Sequence, residues 1–227
     1  MAFPGLADRV ADVRSRIAAA VARGGHGQQV TVVAVTKTHG PDAVEAAYKA
    51  GLHDVGENKV QEALKKMPEV EVPVRWHLIG HLQRNKIKSL DQFVLLHSLD
   101  SARLADAVCA FGIARGRAVD VLIEMNLSGE RSKGGYSLSE LLPEAERLAT
   151  LSGLRVRGVM TMASFSAGES ELHRTFAEAR GARAVLADAG HPAEELSMGM
   201  SNDYEIAVEE GATMVRLGTT LFGARAK

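Results

Sequence analysis

The chain of 227 residues is 46% hydrophobic and 24% charged, a globular mixture that excludes global disorder and can bury a core without covalent staples. Its 27 Lys and Arg against 28 Asp and Glu give a net charge of −1, so no basic field exists to hold nucleic acid or an anionic membrane. Aromatics at 4% offer few rings for stacking bases, and the single cysteine excludes an intrachain disulfide or a Cys-rich zinc site.

The first predicted element is an amphipathic helix over residues 6–22. Asp8, Arg9, Asp12, Arg14 and Arg16 interrupt any apolar run there, so residues 1–27 read as a helix and lead-in and not as a signal peptide. No apolar stretch reaches the ~20 residues of a membrane span, and the expected location is the cytoplasm. Residues 30–37 (VTVVAVTK) are β-branched and continuous, the pattern of a strand buried on both faces. Pro41 opens a helix that Gly51 closes.

Strand and helix patterns then alternate. Strands are predicted over 54–58, 75–80, 93–99, 119–127, 154–162, 195–200 and 212–217. Helices are predicted over 59–67, 83–90 (short), 100–115, from Ser137 or Ser139 to 151, 169–189 and 203–211, with Asp100 or Ser101 capping the third of these. Eight such units without a linker or low-complexity tract predict an α/β fold: a single (β/α)8 TIM barrel, with an extra N-terminal helix, spanning 1–227 as one domain. A doubly wound open sheet is the competing architecture.

No dinucleotide fingerprint, P-loop, nucleophile elbow or zinc-protease motif is present. His77 and His81 are four apart, but one lies in a strand pattern and the other in the following loop, so no metal site is expected.

Barrels place function at the C-terminal ends of their strands. Two of these ends stand out. Lys37 closes an otherwise apolar strand, where desolvation would favour its neutral, nucleophilic amine; a lysine snorkelling to solvent is the plain alternative. The loops 197–201 (SMGMS) and 216–220 (RLGTT) combine Gly199 and Gly218 with the hydroxyls of Ser201, Thr219 and Thr220, beside a helix beginning at Asn202-Asp203, which together suit a phosphate. In a closed barrel the eighth strand neighbours the first, so this cradle falls beside Lys37. A phosphate handle and a Schiff-base lysine suggest pyridoxal 5′-phosphate (PLP), with Arg216 facing the pyridine nitrogen and keeping it unprotonated.

Ala34-Val35-Thr36-Lys37, GENKVQEA at 56–63, WHLIGHLQRNK at 76–86 and LSMGMSNDYEIAVEEGATMVRLGTTLFGAR at 196–225 resemble, in order along nearly the whole chain, the PLP homeostasis family (the YggS/PROSC type). That family is similar to the N-terminal barrel of alanine racemase. The resemblance implies PLP held as an aldimine on Lys37, Arg216 at the ring nitrogen, and Ser201, Gly218 and Thr219 around the phosphate. It further implies Asn58 near the ring, where a turn former is the alternative, and Met200 and His77 as weaker candidates that packing also explains. Lys133, in ERSKG at 130–134, resembles a family loop and is otherwise a solvated lysine.

Alanine racemase adds a C-terminal domain and a catalytic tyrosine from its partner subunit. Here the sequence stops about ten residues after Arg216, and no convincing second base stands opposite Lys37 among Tyr48, Tyr136, Tyr204 and His77. The expectation is therefore a monomeric PLP carrier or buffer without catalytic residues or turnover, in intracellular vitamin B6 homeostasis, with apo PLP-dependent enzymes as recipients. A PLP-dependent amino acid racemase is the alternative, and a barrel acting on a sugar phosphate the third reading.

Overall fold

The computed structural model describes residues 3–127 and 134–223. Helix α1 (Leu6–Gly24) precedes eight parallel strands: β1 (Thr31–Val35), β2 (Asp54–Glu57), β3 (Arg75–Leu78), β4 (Leu95–Leu99), β5 (Val119–Met125), β6 (Leu154–Thr161), β7 (Glu195–Ser197) and β8 (Met214–Leu217). They close in sequence order, with β8 pairing to β1. The expected barrel is present, and the open-sheet alternative is excluded. The connecting helices are α2 (Pro41–Lys49), α3 (Val60–Lys66), α4 (Ala102–Ala114), α5 (Leu138–Ala149), α6 (Glu169–Asp188) and α7 (Tyr204–Glu209); a short α8 (Thr219–Phe222) follows β8.

Three local expectations change. Residues 83–90 are not α-helical; a 3-10 segment, Arg84–Gln92, connects β3 to β4. Strands β1 and β7 stop before Lys37 and Met200, because Thr38 and Gly199 turn the chain through left-handed backbone at φ 68° and 92°. The short helix α8 begins right after Gly218, where the sequence reading placed only a loop.

Strand alternation builds two layers. Val32 and Ala34 of β1 join the large apolar layer beneath the helices, so Val33 and Val35 face the barrel interior. Inside, Leu95, Leu122, Met160 and Met214 form a small apolar cluster. Polar side chains share this interior: His77, His97, Ser197 and Arg216 are all buried.

Of the candidate caps, Ser101 serves α4 by accepting the Leu104 N–H at 3.4 Å, and Ser137 opens α5, its N–H donating to Glu140 at 2.8 Å. Ser101→Ala is expected to cost about 1 kcal/mol in urea unfolding, because one N-terminal amide loses its acceptor; an unchanged midpoint would show that water replaces the hydroxyl. Among the described residues, no helix is long and apolar enough to cross a membrane.

Candidate functional site

The unusual strand ends meet where β8 closes onto β1. Val33 pairs with Arg216 and Ala34 with Leu217. Lys37 lies half-buried, two residues beyond inward-facing Val35, in the turn that leaves β1. That turn is gripped on both sides by α3. The Lys66 ammonium donates to the Thr36 carbonyl at 2.8 Å, and the Glu62 carboxylate accepts the Thr38 N–H. Thr38, a β-branched residue at positive φ, is a strained conformation that persists only when its surroundings impose it. The strain and both anchors fall on the two neighbours of Lys37.

Behind this turn lies a buried ion pair. Glu57, 0% exposed, accepts from Lys66 and, at 2.6 Å, from the Thr36 hydroxyl. Burial pushes the Glu57 carboxyl above its ordinary pKa, although Lys66 and Thr36 oppose the shift.

Arg216, 5% exposed, projects from β8 into the interior. Its Nη1 donates to the Ser197 carbonyl and hydroxyl, both at 2.7 Å, and its Nη2 to the Thr161 carbonyl at 2.9 Å. Burial lowers its pKa to about 10, with Asp203 and Glu124 pulling the other way, so it remains a cation at neutral pH. A fixed, desolvated guanidinium in a barrel core can face a neutral ring nitrogen or an anion with full directional strength.

The two glycines of the expected cradle have different reasons to be glycine. At Gly199 the left-handed backbone and a Cβ that would sit 2.7 Å from the Ala207 Cβ already require it, so packing on α7 accounts for this residue. Gly218 has φ −117°, and its Cβ would meet only Val35, at 3.6 Å. Neither strain nor crowding demands glycine there; a missing side chain leaves room for a group outside the protein to approach the backbone. Thr219 is exposed beside it, and half-buried Ser201 ties the two loops together, accepting the Thr220 N–H at 3.2 Å.

The N-terminus of α7 departs from expectation. Asp203 accepts the Met200 N–H with its side chain, so that amide is not offered to an anion, and a carboxylate stands where helix amides were expected. Burial raises the Asp203 pKa, opposed by the Met200 N–H and Arg216. Met200 is half-buried in this loop. Asn58 is half-buried just past β2 and lines a surface groove with Gly80, His81 and Lys86. Lys133 lies outside the described residues. His81 is exposed and pairs with Asp100 at 2.8 Å, whereas His77 is buried, and no group of three metal-ligating side chains occurs among the described residues.

The tyrosines do not converge on the site. Tyr204 is buried against α1, with the Arg16 guanidinium 5.6 Å from its ring centroid. Tyr136 donates to Glu144 at 2.7 Å, and Tyr48 meets His53 edge-to-face at 4.9 Å between ring centroids.

Sequence reading missed a buried polar chain below Arg216. His97 contacts Ser197, His77 contacts His97, and His77 reaches Asp54, each at 2.9 Å. Burial alone would raise the Asp54 pKa; hydrogen bonds from His77 and Arg75 outweigh it and hold the carboxyl at about 2. Because the folded pKa lies below the unfolded one, this stabilisation is complete above about pH 4 and disappears as pH falls toward 2. It amounts to about 2 kcal/mol. Asp54→Asn is expected to remove that part of the acid slope, and a parallel pH–stability curve for the variant would show that Asp54 does not supply it.

Comparison with known proteins agrees with this fold. The family model for the alanine racemase N-terminal domain matches residues 10–226. The pyridoxal phosphate homeostasis protein of Pseudomonas aeruginosa is 40% identical over 223 residues, covering 97% of this chain and 96% of that protein. The protein of the same name from Escherichia coli K12 is 39% identical over 231 residues, covering 97% of each. Among solved structures, PipY of Synechococcus elongatus with PLP bound superposes with a TM-score of 0.84 at 34% identity, covering 96% of this chain and 100% of that one. Alanine racemase from Corynebacterium glutamicum shares the fold, with a TM-score of 0.75 at 16% identity over 99% of this chain and 62% of its own.

Proposed function

This chain belongs to the family of pyridoxal phosphate homeostasis proteins, built on the alanine racemase N-terminal domain, and we propose that it binds PLP as a Schiff base on Lys37 and carries or buffers it without turnover. The Lys37 amine condenses with the PLP aldehyde, forming the C=N bond and releasing water; hydrolysis or exchange with another amine reverses it. When bound, PLP supplies an electrophilic carbon conjugated to a pyridine ring.

The observation that carries the reading is Arg216. Held by three hydrogen bonds and still cationic at neutral pH, it would donate to a ring nitrogen instead of protonating it, which would weaken the electron sink that racemisation and transamination need. The residues fit the group. Gly218 leaves backbone open beside Thr219 and Ser201, which would hold the phosphate, and Asn58 and Met200 would stand near the ring, as the family resemblance implies. The absence of turnover is supported by Tyr204, which packs against α1 and is thereby removed as an acid opposite Lys37. The curated relatives are likewise named for homeostasis. On this reading the chain is one cytoplasmic, monomeric domain with apo PLP-dependent enzymes as recipients.

Borohydride reduction followed by digestion and mass spectrometry tests it. The expected product is a reduced pyridoxyl group on the Lys37 peptide. A pyridoxyl mass on another lysine overturns the residue, and none at all overturns the covalent mode. Rapid exchange of amino acid α-hydrogens in deuterium oxide would favour the racemase alternative instead.

A further inference from the structure

Five polar side chains form an unbroken file through the barrel interior. Arg216 Nη1 meets Ser197 Oγ at 2.7 Å, Ser197 Oγ meets His97 Nδ1 at 2.9 Å, His97 Nε2 meets His77 Nδ1 at 2.9 Å, and His77 Nε2 meets Asp54 Oδ1 at 2.9 Å. Asp54 opens β2 at the N-terminal end of the barrel, opposite the candidate site, and is forked by Arg75, whose side chain is 61% exposed. The file thus connects the solvent at one end of the barrel to the guanidinium at the other.

The proton positions along it follow from elimination. A guanidinium only donates, so Ser197 Oγ accepts from Arg216. At the other end, Asp54 accepts two hydrogen bonds from Arg75 and is ionised, so it only accepts, and His77 Nε2 carries a hydrogen. The Ser197 hydroxyl hydrogen has His97 Nδ1 as its acceptor at 2.9 Å, so His97 carries its hydrogen on Nε2 and His77 Nδ1 accepts it at 2.9 Å. His97 is fully buried, and burial drives its pKa well down, so it is neutral and its Nδ1 accepts from the Ser197 hydroxyl. The reverse set of tautomers would aim the bare His77 Nε2 at a carboxylate and leave the Ser197 hydroxyl hydrogen without its His97 acceptor. Every hydrogen therefore points from Arg216 toward Asp54.

We infer that Asp54, through His77, His97 and Ser197, is a remote positioning group for Arg216: a one-way hydrogen-bond relay in which the carboxylate fixes both histidine tautomers and makes Ser197 a stronger acceptor for the guanidinium. In such a chain each bond polarises the next, and the terminal anion sets its sense. Two carbonyls also hold Arg216, so the relay adjusts its direction and charge without being its sole support. The inference rests on the reading that Arg216 faces the PLP ring, but the tautomers do not.

Two measurements test it. In protein freed of PLP, histidine-selective 15N NMR is expected to show His77 and His97 both as Nε2–H tautomers, with His97 neutral down to pH 5; an Nδ1–H tautomer or a charged His97 overturns the relay whatever the protein binds. In the second, PLP affinity and the visible absorbance of the bound form are followed against pH for Asp54→Asn, Ser197→Ala and the double variant. Asp54→Asn keeps an oxygen acceptor for His77 but loses the charge and the acceptor for Arg75 Nη2. It is expected to weaken PLP binding about tenfold and shift the absorbance profile. Ser197→Ala breaks the file, so adding Asp54→Asn to it should have no further effect on either readout. Additive effects, or no effect of Asp54→Asn where the wild type forms its Lys37 adduct, overturn the relay and leave the PLP reading intact. A wild type without any Lys37 adduct overturns that reading instead, while NMR still decides the relay.

Discussion

Lys37→Ala is expected to abolish the reducible PLP adduct and its visible absorbance band, and to lower PLP affinity by about a hundredfold or more, ~2.7 kcal/mol. The loss is this large because the amine forms the only covalent bond in the proposed site, and the remaining contacts to phosphate and ring are individually weak. The fold should be unaffected: Lys37 is half-buried at the end of β1, outside the apolar layers. Its removal is expected to change unfolding free energy by no more than about 0.5 kcal/mol. Lys37→Arg separates charge from nucleophilicity, since a guanidinium keeps its proton and cannot form the imine. It should resemble alanine in the adduct assay. An adduct that survives in either variant assigns the chemistry to a different lysine.

The second large effect is on stability. Lys66→Met is expected to cost about 3–5 kcal/mol, because it strands the fully buried Glu57 carboxylate without its cation. The Lys66 bond to the Thr36 carbonyl is lost as well, so one of the two anchors on the turn presenting Lys37 is released. The sign with pH is specific. Glu57 already has a raised pKa, and removing Lys66 raises it further, so the variant takes up its proton at a higher pH than the wild type. The deficit should therefore shrink toward about pH 4, where a protonated Glu57 buries no charge. The paired change Glu57→Gln with Lys66→Met should recover most of the loss, as neutral partners of similar size leave nothing charged in the interior. Urea unfolding of the three variants at pH 7 and near pH 4 reads all of this; a deficit independent of pH would mean that packing, and not the stranded charge, is responsible.

Much of the site was legible because strand alternation assigns faces. The run VTVVAVTK places Lys37 in step with Val33 and Val35, and ATMVRL places Arg216 in step with Met214, so both were expected at the barrel interior; Arg216 is buried there, whereas Lys37 is half-buried in the turn beyond β1. What alternation does not supply is who meets whom. Nothing in the strand pattern FVLLHSL names a partner for His97; Ser197 is 100 positions away and is reached only because the barrel closes. Nothing in the helix pattern over 59–67 sets Lys66 apart, and only α3's placement brings it to Glu57 of β2. Gly199 and Gly218 looked equivalent in sequence; only the neighbouring atoms show that the first is required by packing and the second is not. Asp203 read as a helix start, but its carboxylate turns back to accept the Met200 N–H of the preceding loop.

The sequence by itself determined the barrel and the identities of its unusual strand ends. Hydrophobic period, glycine and proline punctuation, and the alternation of strand and helix are local properties, and eight repeats of one local pattern leave few ways to close a sheet. Tertiary structure decided the electrostatics: the state of Arg216, the ionisation of Asp54, the tautomers between them and the clamp around Lys37. These depend on desolvation and on distances between residues far apart in the chain, quantities that have no value until the barrel has formed.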